Sequence, residues 1–388
     1  MRYARLIFWG TLVSLSLWSG ACKKTETPDQ TGTQARQGAQ VAQHEEMPAL
    51  RFKTFSYVDR EGLGIEAFRL LIPSDWEATG GIRWILDNPG MPAVASFRVT
   101  DPREASEFEV FPNQTFFWTN NPMHRQLFPV GSKYFGSEVR APIKVLDALK
   151  QIVLPRFRGS AAAVQLVSEQ QLPDLAKSLG AGQAQPGLSA SADGGRIRIQ
   201  YERGGTAMEE EIFGIVESYS FPIQTMTGVA TNTLWNASYL FSFKAKQGAL
   251  DAHAKLFQTI ATSFRVNPQW FNKYTQVVEY LIKRQIQQIR SIGELSRIIS
   301  QTHNEISESN LQSYYDRQAV YDRVADNFSQ HIRGVDAYYD PFEQKSVELP
   351  SGYRHAWTNN LGEYVLTEQE DFNPNIGSNL HWEMMERK

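Results

Sequence analysis

The side chains able to carry acid–base, metal or nucleophilic chemistry are few and scattered. The seven histidines are His44, His124, His253, His303, His331, His355 and His381. None has a neighbour at the spacing of a HExxH zinc pair, and a single cysteine excludes CxxC. "THNEI" (302–306) lacks the second histidine such a pair needs. Neither a GxSxG elbow nor a GxxxxGK[ST] loop is present. The sequence therefore names no catalytic residue, no metal ligand and no cofactor, and each histidine is expected at the surface or the edge of a core. Glu209, Glu210 and Glu211 follow one another in "GGTAMEEE". Neighbours on a strand point to opposite faces, so they cannot share one site, and a solvated strand edge is expected. In "DFNPNIG" (371–377), Asp371, Asn373 and Asn375 alternate as oxygen ligands would. Ile376 stands where a calcium loop has glycine, so an Asx and proline turn is the expectation. The remaining candidates are aromatic. Tyr353, Trp357 and Tyr364 fall in a short, turn-rich stretch and form a candidate binding surface, since aromatic anchors dominate binding hot spots.

Cys22 is the only cysteine of 388 residues. Before it come the charges Arg2 and Arg5, an uncharged and largely apolar run over 6–18, and the small residues Ser19, Gly20 and Ala21. Basic, apolar, small is the order of a secretory signal. With Gly20 and Ala21 directly before Cys22, the segment resembles a bacterial lipoprotein signal. That resemblance implies a signal peptide over 1–21, acylation of Cys22 and anchoring to a membrane. From Lys23 to about Met47 the chain is polar and small, without the side chains for a core. Residues 22–48 are read as a tether reaching about 25–30 Å as a flexible coil. The formal net charge of −3 gives no reason to expect nucleic acid as a partner.

Patterning sets the elements beyond the tether. "FRLLIPSDW", "GIRWIL", "AVASFRVTD" and "EFEVFPN" read as short strands, and "GRIRIQYER", "EEEIFGIVESYSF" and "LWNASYLFSFKA" as long ones. Residues 141–157, "LPDLAKSLG" and "GALDAHAKLFQTIATSFRV" carry helical spacing. Together they predict an α+β domain over 49–267, with a largely antiparallel sheet and flanking helices. Phe68, Ile72, Pro73 and Trp76, followed by Ala254, Leu256, Phe257, Ile260, Ser263, Phe264, Arg265 and Val266, resemble the PsbP-like family. The resemblance implies an α-β-α sandwich and a non-enzymatic accessory or assembly role. Residues 268–334 show a three-four spacing with a break near 306–310, predicting a helical hairpin or a coiled coil. Residues 335–388 read as a small aromatic-rich β region. Leu349, Pro350, Gly352, Tyr353, Gly362 and Tyr364 there give a partial resemblance to WW domains, built on three short strands.

The expected function is that of a lipid-anchored, extracytoplasmic protein of a bacterial cell envelope, on the periplasmic face of the outer membrane. It would act as a non-enzymatic binding or assembly factor, held to the membrane through acylated Cys22 and engaging a protein partner. Two other classes stay open: an envelope hydrolase or lyase with an unrecognised site, and a small-ligand carrier. A deep polar cavity with converging carboxylates or histidines would favour the enzyme. A deep apolar cavity would favour the carrier. A broad exposed aromatic patch would favour the binding factor.

Overall fold

A computed structural model describes residues 49–173, 188–225, 228–284, 310–316, 318–319 and 335–388. All of these lie in one compact unit, Glu46–Lys388. Its largest sheet runs β3 (Glu77–Trp84), β4 (Ala93–Thr100), β5 (Glu107–Val110), β12 (Gly228–Lys246), β11 (Thr206–Thr225), β10 (Ser189–Arg203), β9 (Ala162–Gln171). β6 (Gln114–Thr119) pairs with the first half of β12, and β8 (Ser137–Val139) joins β6 to β7 (Lys133–Tyr134). A second sheet runs β13 (Arg265–Val266), β2 (Glu66–Pro73), β1 (Leu50–Val58), β17 (Glu363–Thr367), β16 (His355–Asn359), β18 (Trp382–Met384). A third pairs β15 (Lys345–Pro350), β14 (Val335–Asp340) and β19 (Glu386–Arg387).

Three cores follow from the alternation along these strands. Met208, Ile212 and Val216 on β11 face a helical segment made of α2 (Val145–Ala148), a π turn (Leu149–Val153) and α3 (Leu154–Arg158). Phe213 and Ile215 face the other way, toward Phe68, Leu70 and Ile72 of β2 and toward Phe257 and Ile260 of α4 (Ala254–Thr262). The outer face of the second sheet, with Phe52 and Leu71, packs on Tyr338, Val347 and Leu349 of the third. A strand covered on both faces needs apolar residues at successive positions, which is why "IFGIV" does not alternate.

The expected fold class is overturned. The chain is mostly β, 51% strand and 19% helical, with curled sheets and short helices. It is not an α+β sandwich carrying a long helical hairpin. The second helix expected of the first domain, "LPDLAKSLG", lies outside the described residues from 174 onward. Of the segment 268–334, α5 (Pro268–Arg284) is a helix of 17 residues, and 285–309 and 320–334 lie outside the described residues. A coiled coil is not supported either. The physical reason is visible on α5: Trp270, Val277 and Leu281 are buried in the core beneath the large sheet. Of the positions Tyr274, Val278 and Leu281 read as a helix–helix seam, Leu281 is buried in that core, Tyr274 packs against it and Val278 is half-buried.

The C-terminal region is woven into the rest. β17 pairs with β1, setting Leu50 against Leu366 and Phe52 against Tyr364. β15 pairs with β14, whereas β16 pairs with β17 and β18. The three strands behind the WW-like reading thus belong to two different sheets.

Candidate functional site

Between the large sheet and α5 lies a cavity of about 140 Å³. Ile82 of β3, Ala93 and Ala95 of β4, Phe108 and Val110 of β5 and Phe241 of β12 form its sheet side. Ala261 of α4, Phe68 of β2, Phe264, and Trp270, Phe271 and Tyr274 of α5 close it. The room comes from alanines. The inward row of β4 reads Ala93, Ala95, Phe97, Val99, so its first half leaves empty the space that larger side chains would fill. Among the described residues no charged side chain lines the cavity. Of the polar ones, Gln318 is held by the protein: it donates to the Phe264 carbonyl at 2.8 Å and accepts from the Val266 N–H at 3.2 Å.

A β-bulge re-aims one wall. Along β11 and β12 the register runs Phe213↔Phe241 and then Ile215↔Ser238, so Tyr239 and Leu240 stand opposite Gly214. Tyr239 adopts φ 51°, the left-handed region that a side chain makes costly, and lines the cavity. Bulges recur where a side chain must be redirected. Gly214 permits this one: a Cβ there would meet Leu240 Cδ2 at 2.7 Å and Leu149 Cδ2 at 3.0 Å.

The helical wall is fixed by a buried carboxylate. Asp59, fully buried, follows β1 and accepts from Trp84 Nε1 at 3.1 Å, from Trp270 Nε1 at 2.9 Å and from the Leu63 N–H at 3.1 Å. Trp270 therefore spends its polar atom on Asp59. It stacks on Tyr274 with ring centroids 5.4 Å apart. Gly62 lets Trp84 come this close, since a Cβ there would lie 2.0 Å from Trp84 Nε1. Three parts of the chain far apart in sequence thus converge on one acceptor.

A second cavity, about 700 Å³, has an evenly mixed polar and apolar lining that includes Glu66, Arg69, Arg265, Glu343, Lys345 and Glu348. Among the described residues its lining includes no histidine or cysteine. Glu343 takes Lys345 at 2.9 Å and Arg69 at 3.5 Å. The hydrogen bond from Lys345 holds its carboxyl below the usual range against the opposing effect of burial. Ser263 Oγ is engaged with the Leu71 N–H and the Ile260 carbonyl, so it is not poised as a nucleophile.

The three consecutive glutamates are not at a solvated edge: Glu209, Glu210 and Glu211 are all buried on the central β11. Glu210 meets Arg158 at 2.5 Å, and Arg158 also holds Glu109 at 2.6 Å. Lys244 bridges Glu107 at 2.5 Å and Glu109 at 3.6 Å. Burial pushes the Glu109 carboxyl up, but Arg158 and Lys244 outweigh it and hold it below the usual range. On the opposite face Arg198 pairs Glu209 at 3.0 Å and Asp251 at 3.0 Å, and Arg196 pairs Glu211. Burial raises Glu211 despite these cations. Glu209 sits low because the bonds from Arg198 and the Gly248 N–H overcome its burial. Neither cavity is lined by these groups; they are ion networks inside a sheet.

Of the residues singled out from the sequence, Tyr364 lines the second cavity, and Tyr353 and Trp357 line neither. Cys22 is outside the described residues. Tyr353 and Tyr364 are buried in the core between the second and third sheets, and Trp357 is half-buried. Tyr364 donates its hydroxyl to Asp340 at 2.5 Å. Trp357 pairs with Val365, and Thr358 with Tyr364, so Trp357 and Tyr364 point to opposite faces. Asn373 Oδ1 accepts from the Asn375 N–H at 3.0 Å, an Asx turn. Sequence reasoning did not find the cavity; the alternating alanines of "AVASF" were its one local signal. The chain matches no protein-family model and no curated protein.

Proposed function

We propose that the protein is a lipid-anchored carrier of an apolar ligand. One observation supports the carrier part: a cavity that, among the described residues, has no charged wall and is ringed by aromatic side chains and floored by alanines. A dry apolar cavity of about 150 Å³ accepts a benzene-sized group, so the inserted part of the ligand is a ring or a short alkyl segment. An ionised head group would find no counter-charge there and stays outside. The anchor part rests on the order of residues from Arg2 to Cys22, with attachment to a bacterial envelope membrane as its consequence.

Calorimetric titration with benzene and with a series of fatty acids of increasing chain length tests the carrier. Affinity should rise with chain length until the cavity is full and then level off. Ala95→Phe, which places a ring on the cavity floor, should weaken binding at least tenfold. Absence of binding in the wild type, or an Ala95→Phe variant that binds as well, would refute the proposal.

A further inference from the structure

We infer that residues 122–136 are a docking patch for an anionic lipid bilayer. The segment begins with α1 (Pro122–Leu127) and turns back through β7. Met123, Leu127, Val130 and Phe135 are 63%, 67%, 66% and 62% exposed. Four large apolar side chains this open within so short a stretch are unusual for a surface facing only water. They do not sit on a loose loop. Asn121 Oδ1 caps α1 by accepting from the Met123 N–H at 3.0 Å, and Asn120 Oδ1 ties the start of the helix to the Thr231 N–H of β12 at 2.7 Å. Tyr134 stacks on the buried Phe117 at 4.3 Å, and Phe128 meets Tyr134 edge-on at 4.9 Å. Met123 and Leu127, four apart on the helix, share a side. Phe135 holds φ 47°, a costly backbone conformation, with one edge of its ring against Tyr134 at 4.7 Å and most of it open to solvent.

Charge selects the occupant. Residues 121–136 contain Arg125 and Lys133 and no aspartate or glutamate, in a chain whose formal net charge is −3. Both cations are exposed, and among the described residues neither is in an ion pair. Apolar side chains projecting beside cations suit an interface where the first enter the acyl boundary and the second meet anionic head groups. Neither of the two cavities described above includes these side chains. The patch is independent of the proposed ligand cavity.

The test uses residues 46–388, the compact unit with its own cores, so that no acyl chain or signal segment contributes. The protein is sedimented with vesicles of phosphatidylglycerol and phosphatidylethanolamine, and separately with phosphatidylcholine alone. Partitioning should be at least tenfold stronger on the anionic vesicles and should fall as salt is added. Met123→Ser/Leu127→Ser/Phe135→Ser should lower it at least tenfold with an unchanged melting temperature. Arg125→Glu/Lys133→Glu should lower binding to the anionic vesicles and leave the neutral ones unaffected. A wild type that stays in the supernatant, as it would if the patch served a protein partner, overturns the inference. So does a triple variant that sediments like the wild type.

Discussion

Replacing Asp59 tests whether one carboxylate fixes the helical wall of the cavity. In Asp59→Ala, three donors lose their acceptor: the indoles of Trp84 and Trp270 and the Leu63 N–H. Trp84 is half-buried and turns to water at little cost. Trp270 and Leu63 are buried at 7% and 8% exposure, and each stranded donor costs about 1–3 kcal/mol. Loss of the buried charge offsets part of this, because that carboxylate was itself costly to desolvate. The expected net loss is about 3 kcal/mol, read from urea midpoints on residues 46–388. Asp59→Asn keeps the shape and one acceptor oxygen but turns an amide donor toward the indoles, so about 1–3 kcal/mol is expected. A double-mutant cycle with Trp270→Phe isolates the pair and should give a coupling of about 1–2 kcal/mol. The ligand should also bind more weakly to Asp59→Asn, because Trp270 is then free to tilt. A loss below about 1 kcal/mol in Asp59→Ala, with no coupling in the cycle, would show that packing alone holds α5 in place.

Arg158→Leu should cost about 3–5 kcal/mol near neutral pH, because it leaves Glu109 and Glu210 buried beside one fewer cation. The pH dependence has a defined sign. The folded Glu109 lies below its ordinary value, so its contribution is present above about pH 4 and is lost as pH falls through the folded value. Chemical denaturation across acid pH should show that slope in the wild type and a shallower one in Arg158→Leu. Tyr364→Phe removes the hydroxyl that reaches Asp340 between two buried side chains; a loss of about 1.5–3 kcal/mol is expected in a thermal melt. Cys22→Ser should abolish incorporation of labelled fatty acid, and a wild type that takes up no label would sink the tether.

The strands were readable where a local rule sufficed. "EFEV" and "GRIRIQYER" alternate, and "AVASFRVTD" is bounded by turn residues; all three lie in strands. The helix read from "GALDAHAKLFQTIATSFRV" is present over Ala254–Thr262. Fold class was not readable, because it depended on what the apolar stripe of α5 packs against. Three-four spacing specifies a buried face and leaves its partner open. Tyr274 and Leu281, two of the seam positions, face a sheet core, which looks the same in sequence as a helical seam. The buried glutamates were hidden for a similar reason. Three acids in a row suggest solvent, and only the tertiary fold brings Arg158, Arg196 and Arg198 to them. The cavity depends on a bulge at Tyr239 and on an acceptor at Asp59 reached from two distant tryptophans, neither of which leaves a local pattern.

The pairing of β1 with β17 governs the order in which the molecule can assemble. Thr54 donates its hydroxyl to the Gly362 carbonyl across 308 residues of chain, and β1 has β2 on one side and β17 on the other. During synthesis β1 and β2 form a hairpin early, while the other edge of β1 stays open until β17, about 300 residues later, emerges. Loop-closure entropy makes such a contact late and slow. Throughout that interval a strand carrying Phe52, Phe55 and Tyr57 presents unpaired backbone groups to other chains. A ribosome-bound chain therefore cannot complete its second sheet before β17 emerges, and a holding factor acting on β1 and β2 would protect it longer than one acting on β17.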